Sequence, residues 1–90
     1  MFESELEKRV VGYCKEHHLG CYKFVSPSHK GVPDRILIFP GGKVAFVELK
    51  APKGVRSVLQ TYEQVKLRGW GAAVWTCNNF ETFKAWAQLQ

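Results

Sequence analysis

The 90 residues predict an α/β fold in the order α-β-β-β-α-β-α, a mixed sheet flanked by helices. Three observations predict it: a helix-period apolar stripe at the N-terminus, two apolar runs joined by Pro40-Gly41-Gly42, and a second helix-strand-helix succession after Ser57. Residues 3 to 18 read as the first helix, since at about 100° per residue Leu6, Val10, Tyr13 and Cys14 share one face. Leu19-Gly20 should end it, with Gly20 suited to a left-handed cap. Residues 21 to 25 (Cys-Tyr-Lys-Phe-Val) read as a short strand, and Ser26-Pro27-Ser28-His29-Lys30-Gly31 as a loop. Residues 35 to 39 and 43 to 50 form a hairpin about Pro40-Gly41-Gly42. Ala51-Pro52-Lys53-Gly54 breaks the second strand, and Ser57 can cap a helix running to about Trp70. A strand over 72 to 77, a cap at Asn78 or Asn79 and a helix over 80 to 89 complete the order.

Composition bounds the function. A chain of 90 residues is expected to form one domain over residues 1–90, and 46% apolar content excludes a disordered tail. Thirteen Lys and Arg against eight Asp and Glu leave +5, which favours a polyanionic partner. Cys14, Cys21 and Cys77 are odd in number with no close pair in sequence, a pattern of reduced cytoplasmic thiols more than of a disulfide frame or zinc site. The acidic, polar N-terminus and the lack of a long apolar run predict neither signal peptide nor membrane span.

The chemistry concentrates in Gly31-Val32-Pro33-Asp34-Arg35 and Val47-Glu48-Leu49-Lys50. Asp34, the sole aspartate, opens one apolar strand, and Glu48 interrupts the next. Strand alternation puts Phe46, Glu48 and Lys50 on one face and Ala45, Val47 and Leu49 on the other. An internal Glu48–Lys50 ion pair would need no third charge, yet a short hairpin turn should bring Asp34 toward Glu48. Two carboxylates that close repel unless a cation bridges them. Hard oxygen donors without a local His or Cys cluster favour Mg²⁺ or Mn²⁺ over zinc. Glu3 and Glu7 lie on or beside the apolar stripe of the first helix; Glu7, one turn further in, is the better candidate to face the same cleft. His17 and His18 read as surface residues favoured by the helix C-terminus. Basic loops flank the motif, Ser26 to Lys30 before Asp34 and Lys53 to Arg56 after Lys50, placed as phosphate clamps that position a duplex without reading bases.

In the 57–70 helix, Leu59, Leu67 and Trp70 lie broadly on one side and Val58, Tyr62 and Val65 on another. Both sides cannot rest on one sheet. Either the second packs under a loop or the last helix, or it meets its own copy in an isologous dimer.

Pro33-Asp34, thirteen residues, then Glu48-Leu49-Lys50 resembles the PD-(D/E)xK nuclease superfamily. With Lys23-Phe24-Val25-Ser26-Pro27, Phe46-Val47-Glu48-Leu49-Lys50-Ala51-Pro52 and Ser57-Val58-Leu59-Gln60 added, nearly the whole chain resembles the virus-type replication-repair nuclease (VRR-NUC) domain in its minimal stand-alone phage or bacterial form. Val58 departs from it where the family has proline, and Gln64 where relatives often have histidine. The resemblance implies a restriction-endonuclease-like core in which Asp34, Glu48 and the Leu49 carbonyl bind Mg²⁺ (or Mn²⁺). It implies that Glu7 holds a metal water or second ion, that Lys50 orients or deprotonates the attacking water, and that Gln60 sits beside the site. Lys23, Ser26, Lys30, Arg35, Lys53 and Arg56 are then the residues expected on DNA.

The implied activity is Mg²⁺-dependent, structure-selective hydrolysis of DNA that leaves 5′-phosphate and 3′-hydroxyl ends. A homodimeric Holliday junction resolvase in the cytoplasm of a bacterium or phage-infected host is the leading reading, with no small-molecule substrate. A flap, nick or duplex-end nuclease on the same fold is the alternative. A catalytically idle DNA-binding module, or a generic RNA- or protein-interaction domain, would leave the acidic pair unexplained.

Overall fold

The computed structural model describes residues 3–51 and 54–90; the side chain of Glu3 and all of Pro52 and Lys53 lie outside the described residues. The elements are α1 (Glu3–Glu16), β1 (Gly20–Lys23), β2 (Arg35–Ile38), β3 (Val44–Leu49), α2 (Val58–Gly69), β4 (Ala73–Cys77) and α3 (Phe80–Gln88), in the order expected. The sheet runs β1-β2-β3-β4. β1, β2 and β3 pair antiparallel, and β4 joins β3 in parallel after the α2 crossover, so the sheet is mixed.

Alternation along the strands gives the sheet two chemically different faces. Leu37, Ala45, Val47, Leu49 and Cys77 point to one side, where Leu6, Val10 and Cys14 of α1 and Phe83 and Ala87 of α3 close a buried core. Two ring pairs of this core meet edge-on, Tyr13 on Phe83 with centroids 5.6 Å apart and Phe39 on Trp86 at 5.6 Å, while Trp75 and Trp86 stack. Glu48 and Thr76, which pair across β3 and β4, point to the opposite side, beneath α2.

Two details differ from the sequence reading. The left-handed residue after α1 is His18 (φ 57), not Gly20, which belongs to β1. Leu19 N–H donates to the Cys14 carbonyl at 2.8 Å and His18 N–H to that of Lys15 at 3.3 Å, which is a Schellman closure with Leu19 turned into the core. In α2 the expected sheet-facing residues are largely outside: Leu59 is exposed, and Trp70 is 76% exposed. The face laid on the sheet is polar instead, with Gln60 half-buried and Glu63 and Gln64 buried. Val58, Tyr62 and Val65 are all exposed, covered by neither a loop nor α3.

Candidate active site

The β2–β3 register sets Arg35 against Val47, so its next step places Asp34 across from Glu48 at one end of the sheet. Asp34 Oδ2 accepts the backbone N–H of Leu49 at 2.9 Å, which fixes the carboxylate against β3. Glu48 is 1% exposed. Its Oε2 accepts Gln60 Nε2–H at 3.1 Å and lies 3.7 Å from Lys50 Nζ, two positions along the same face. Backbone pairing continues beyond β3, since Lys50 N–H donates to the Cys77 carbonyl at 2.9 Å and so fixes the strand end that presents Lys50.

Gln60 arrives because α2 begins where it does. Ser57 caps the helix by accepting Gln60 N–H at 3.1 Å, and Gln60 Oε1 accepts Ser57 N–H at 2.9 Å. The other end of the same amide is thereby aimed at Glu48. Gly31 locks the loop before Asp34 against this turn: its φ is +90°, and an added Cβ would fall 2.6 Å from the Leu59 carbonyl carbon. The loop that delivers Asp34 and the helix that delivers Gln60 are thus held together backbone to backbone.

The remaining expected site residues separate into two groups. Glu7 pairs with Arg35 at 3.4 Å, and the side chains are 43% and 14% exposed. Arg35 is therefore turned inward onto α1, and Glu7 is more exposed than its place beside the apolar stripe implied. No three His, Cys, Asp or Glu side chains converge at ligand distance among the described residues, so Glu7 does not join Asp34 and Glu48 in one cluster. Lys23, Lys30 and Arg56 are exposed and Ser26 half-buried, while Lys53 lies outside the described residues. The donor chemistry at the sheet end, two carboxylates on one face with an ammonium beside them, fits a hard divalent cation such as Mg²⁺ or Mn²⁺. Asp34, Glu48 and the Leu49 carbonyl are the groups that would hold it.

The fold recurs in a solved structure, and the sequence has a phage relative. A solved structure described as a VRR_NUC domain superposes with a TM-score of 0.87, covering 96% of this chain and 94% of that one at 23% identity. The "Putative nuclease p44" of Acyrthosiphon pisum secondary endosymbiont phage 1 is 40% identical over 72 residues, spanning 80% of this chain and 77% of that protein. The chain belongs to the VRR-NUC family. No family model matches the sequence. No helix among the described residues is long and apolar enough to cross a membrane.

In this VRR-NUC chain the structure also gives Gln64 and the cysteines partners that the sequence does not predict. Gln64 hydrogen-bonds Thr76, the strand neighbour of Glu48, and meets Arg56 and Arg68. The available signal was its spacing, one turn after Gln60 on the same helix face. Cys14 and Cys21, seven positions apart in sequence, share a thiol hydrogen bond between α1 and β1. That bond, aided by the charge of Arg35, lowers the Cys21 thiol to about 7 while Cys14 is pushed up. Burial pushes Cys77 up to about 12. All three cysteines are free thiols.

Proposed function

We propose that this chain is a Mg²⁺- or Mn²⁺-dependent DNA endonuclease selective for branched structure, acting as a homodimeric Holliday junction resolvase. The observation that carries the reading is the single constellation at the sheet end: Asp34 opposite Glu48, with Lys50 and Gln60 both on Glu48 Oε2. Asp34, Glu48 and the Leu49 carbonyl would hold a divalent cation, which would supply a more acidic water and offset charge developing on the scissile phosphate. Leu49 N–H fixes one Asp34 oxygen and Gln60 fixes one Glu48 oxygen, so neither carboxylate must reorganise during the reaction. Lys50, beside a carboxylate, acts as a cation that orients the attacking water and stabilises the phosphate oxygens. Water adds to phosphorus, the P–O3′ bond breaks, and the ends are a 5′-phosphate and a 3′-hydroxyl. Glu7, paired with Arg35, would act on the site only through a bound water.

The dimer reading is supported by the exposed Val58, Tyr62 and Val65 side chains, which line one face of α2. One site per protomer cuts one strand, and a twofold pair of sites matches the symmetry of a four-way junction. Cleavage of labelled four-way junction, flap and matched duplex with Mg²⁺ tests the proposal. Paired symmetric cuts in the junction, absent from Asp34→Asn, are expected. Cuts confined to flap or duplex would move the substrate, and binding without cuts would remove the chemistry.

A further inference from the structure

We infer that Arg56 and Arg68 form a subsite for a DNA backbone phosphate next to the scissile one, built on the buried amide of Gln64. The inference rests on the nuclease reading above and extends it to a residue trio outside the acidic pair. Gln64 is 0% exposed. A polar side chain in that position must be fully hydrogen-bonded, since leucine would fill the space without the desolvation cost. Its Nε2 donates to Thr76 Oγ1 at 2.9 Å, which pins the amide to β4 beside Glu48. Its Oε1 then receives two guanidinium groups from opposite ends of α2: Arg56 Nη1 at 2.8 Å and Arg68 Nη2 at 3.4 Å. Arg68 Nη2 is fixed a second time, on the Val74 carbonyl at 3.2 Å.

Two cations thus converge on one neutral oxygen. Neither makes an ion pair among the described residues, and Glu63 of α2 and Glu48 of β3 pair with Lys66 and Lys50. Both arginines are exposed, and each holds its guanidinium by one terminal Nη while the other Nη and Nε keep donors not used on Gln64 or Val74. Like charges gathered on a fixed neutral anchor are offset by an external anion, and a planar fork suits a phosphate's paired oxygens. The location selects the anion. Gln64 follows Gln60 by one helical turn, about 5.4 Å, a step comparable with the spacing of neighbouring phosphates on one strand. A strand whose scissile phosphate lies at Glu48 and Lys50 would lay its neighbour against this pair. Gln64 is a positioning residue here, acting through the arginines.

The test is equilibrium binding of labelled four-way junction across a salt series, in an Asp34→Asn background where cutting is absent. Arg56→Ala and Arg68→Ala should each weaken binding and lower the magnitude of the log–log salt slope by about one. Gln64→Glu, of nearly the same shape, should tie both guanidinium groups in ion pairs, keep or raise the melting temperature and weaken binding as well. A merely structural Gln64 predicts unchanged binding in that folded variant. Slopes equal to the background in both arginine variants would overturn the subsite, and because both side chains are exposed those two variants decide even where Gln64→Glu does not fold. Cleavage by the wild-type chain, measured alongside, separates the two readings: cutting with unchanged slopes removes the subsite alone, whereas reduced slopes without cutting uphold the subsite and remove the nuclease.

Discussion

Gln60 divides one carboxamide between two tasks, and substitution can separate them. Its Oε1 closes the capping box on Ser57 and its Nε2 donates to Glu48. Gln60→Glu keeps a side chain that capping boxes accept, but replaces the donor with a second carboxylate. Without a bridging cation the two carboxylates repel, so we expect a lower melting temperature in EDTA and cleavage reduced about 10–100-fold, the loss typical of a hydrogen bond to a metal ligand; Gln60→Ala should lose activity and also about 1 kcal/mol of stability. Lys50→Ala should fall by a similar factor in kcat, and wild-type turnover in that protein would remove Lys50 from the chemistry. The acidic motif was legible in the chain because charges at strand ends are expensive without a purpose. The partners of each charge were not: that Arg35 turns inward to Glu7 follows from how α1 packs on the sheet, which no local pattern specifies. Cys21 illustrates the same gap. Its thiol, lowered to about 7 by the Cys14 hydrogen bond and Arg35, should be the first of the three to react with iodoacetamide, with a midpoint near pH 7 that Cys21→Ser abolishes. A folded-state value below the unfolded one makes the Cys21 contribution grow as pH rises from about 7 to 9. Cys77, raised to about 12, and Cys14 oppose it above 9. A urea titration series across pH 6–10 should therefore show stability rising and then falling.

At the scale of elements, propensity and punctuation located every helix and strand, while tertiary contacts decided their ends and faces. Ser57 and Asn79 cap α2 and α3 through side-chain bonds that sequence chemistry anticipates. The α1 terminus was misplaced by two residues because glycine is the usual left-handed residue, yet the core captures Leu19 and thereby forces His18 to φ 57. His18→Gly should relieve that backbone and stabilise the protein by about 1 kcal/mol, read from the urea midpoint at unchanged slope. Gly31→Ala should do the reverse, because φ +90 and the Leu59 carbonyl both exclude a methyl group. Its cleavage rate should fall together with its stability, since the same contact aligns Asp34 with Gln60. The face of α2 was misread for a physical reason: hydrophobic periodicity assumes that the buried side is apolar. Here the buried stripe is Gln60, Glu63 and Gln64, sustained by hydrogen bonds to Glu48 and Thr76 and an ion pair to Lys66. Polar burial of this kind marks a functional face, and sequence pattern alone assigns it to solvent.

Across the whole molecule, the two faces of the sheet divide the work. One is closed by α1 and α3 over an apolar core; the other keeps the charged groups beneath α2. The outer side of α2 leaves Val58, Tyr62 and Val65 in solvent, and Lys66 lies over the rings of Tyr62 and Trp70 at 5.3 and 5.7 Å. If that surface joins two copies, Tyr62→Glu with Val65→Glu should give a monomer by sedimentation at micromolar concentration. The monomer should retain single-strand scission and lose paired junction cuts. The net charge of +5 adds a steep salt dependence of DNA binding to the expectation. The proposal that Asp34, Glu48 and Lys50 form a metal-dependent phosphodiesterase centre has a decisive test. It is tested most directly by incubating a strand-labelled four-way junction with the wild-type chain and Asp34→Asn, with Mg²⁺ and with EDTA. Symmetric cuts that require both Mg²⁺ and Asp34 are the predicted result; cuts that survive in Asp34→Asn or in EDTA would contradict the account.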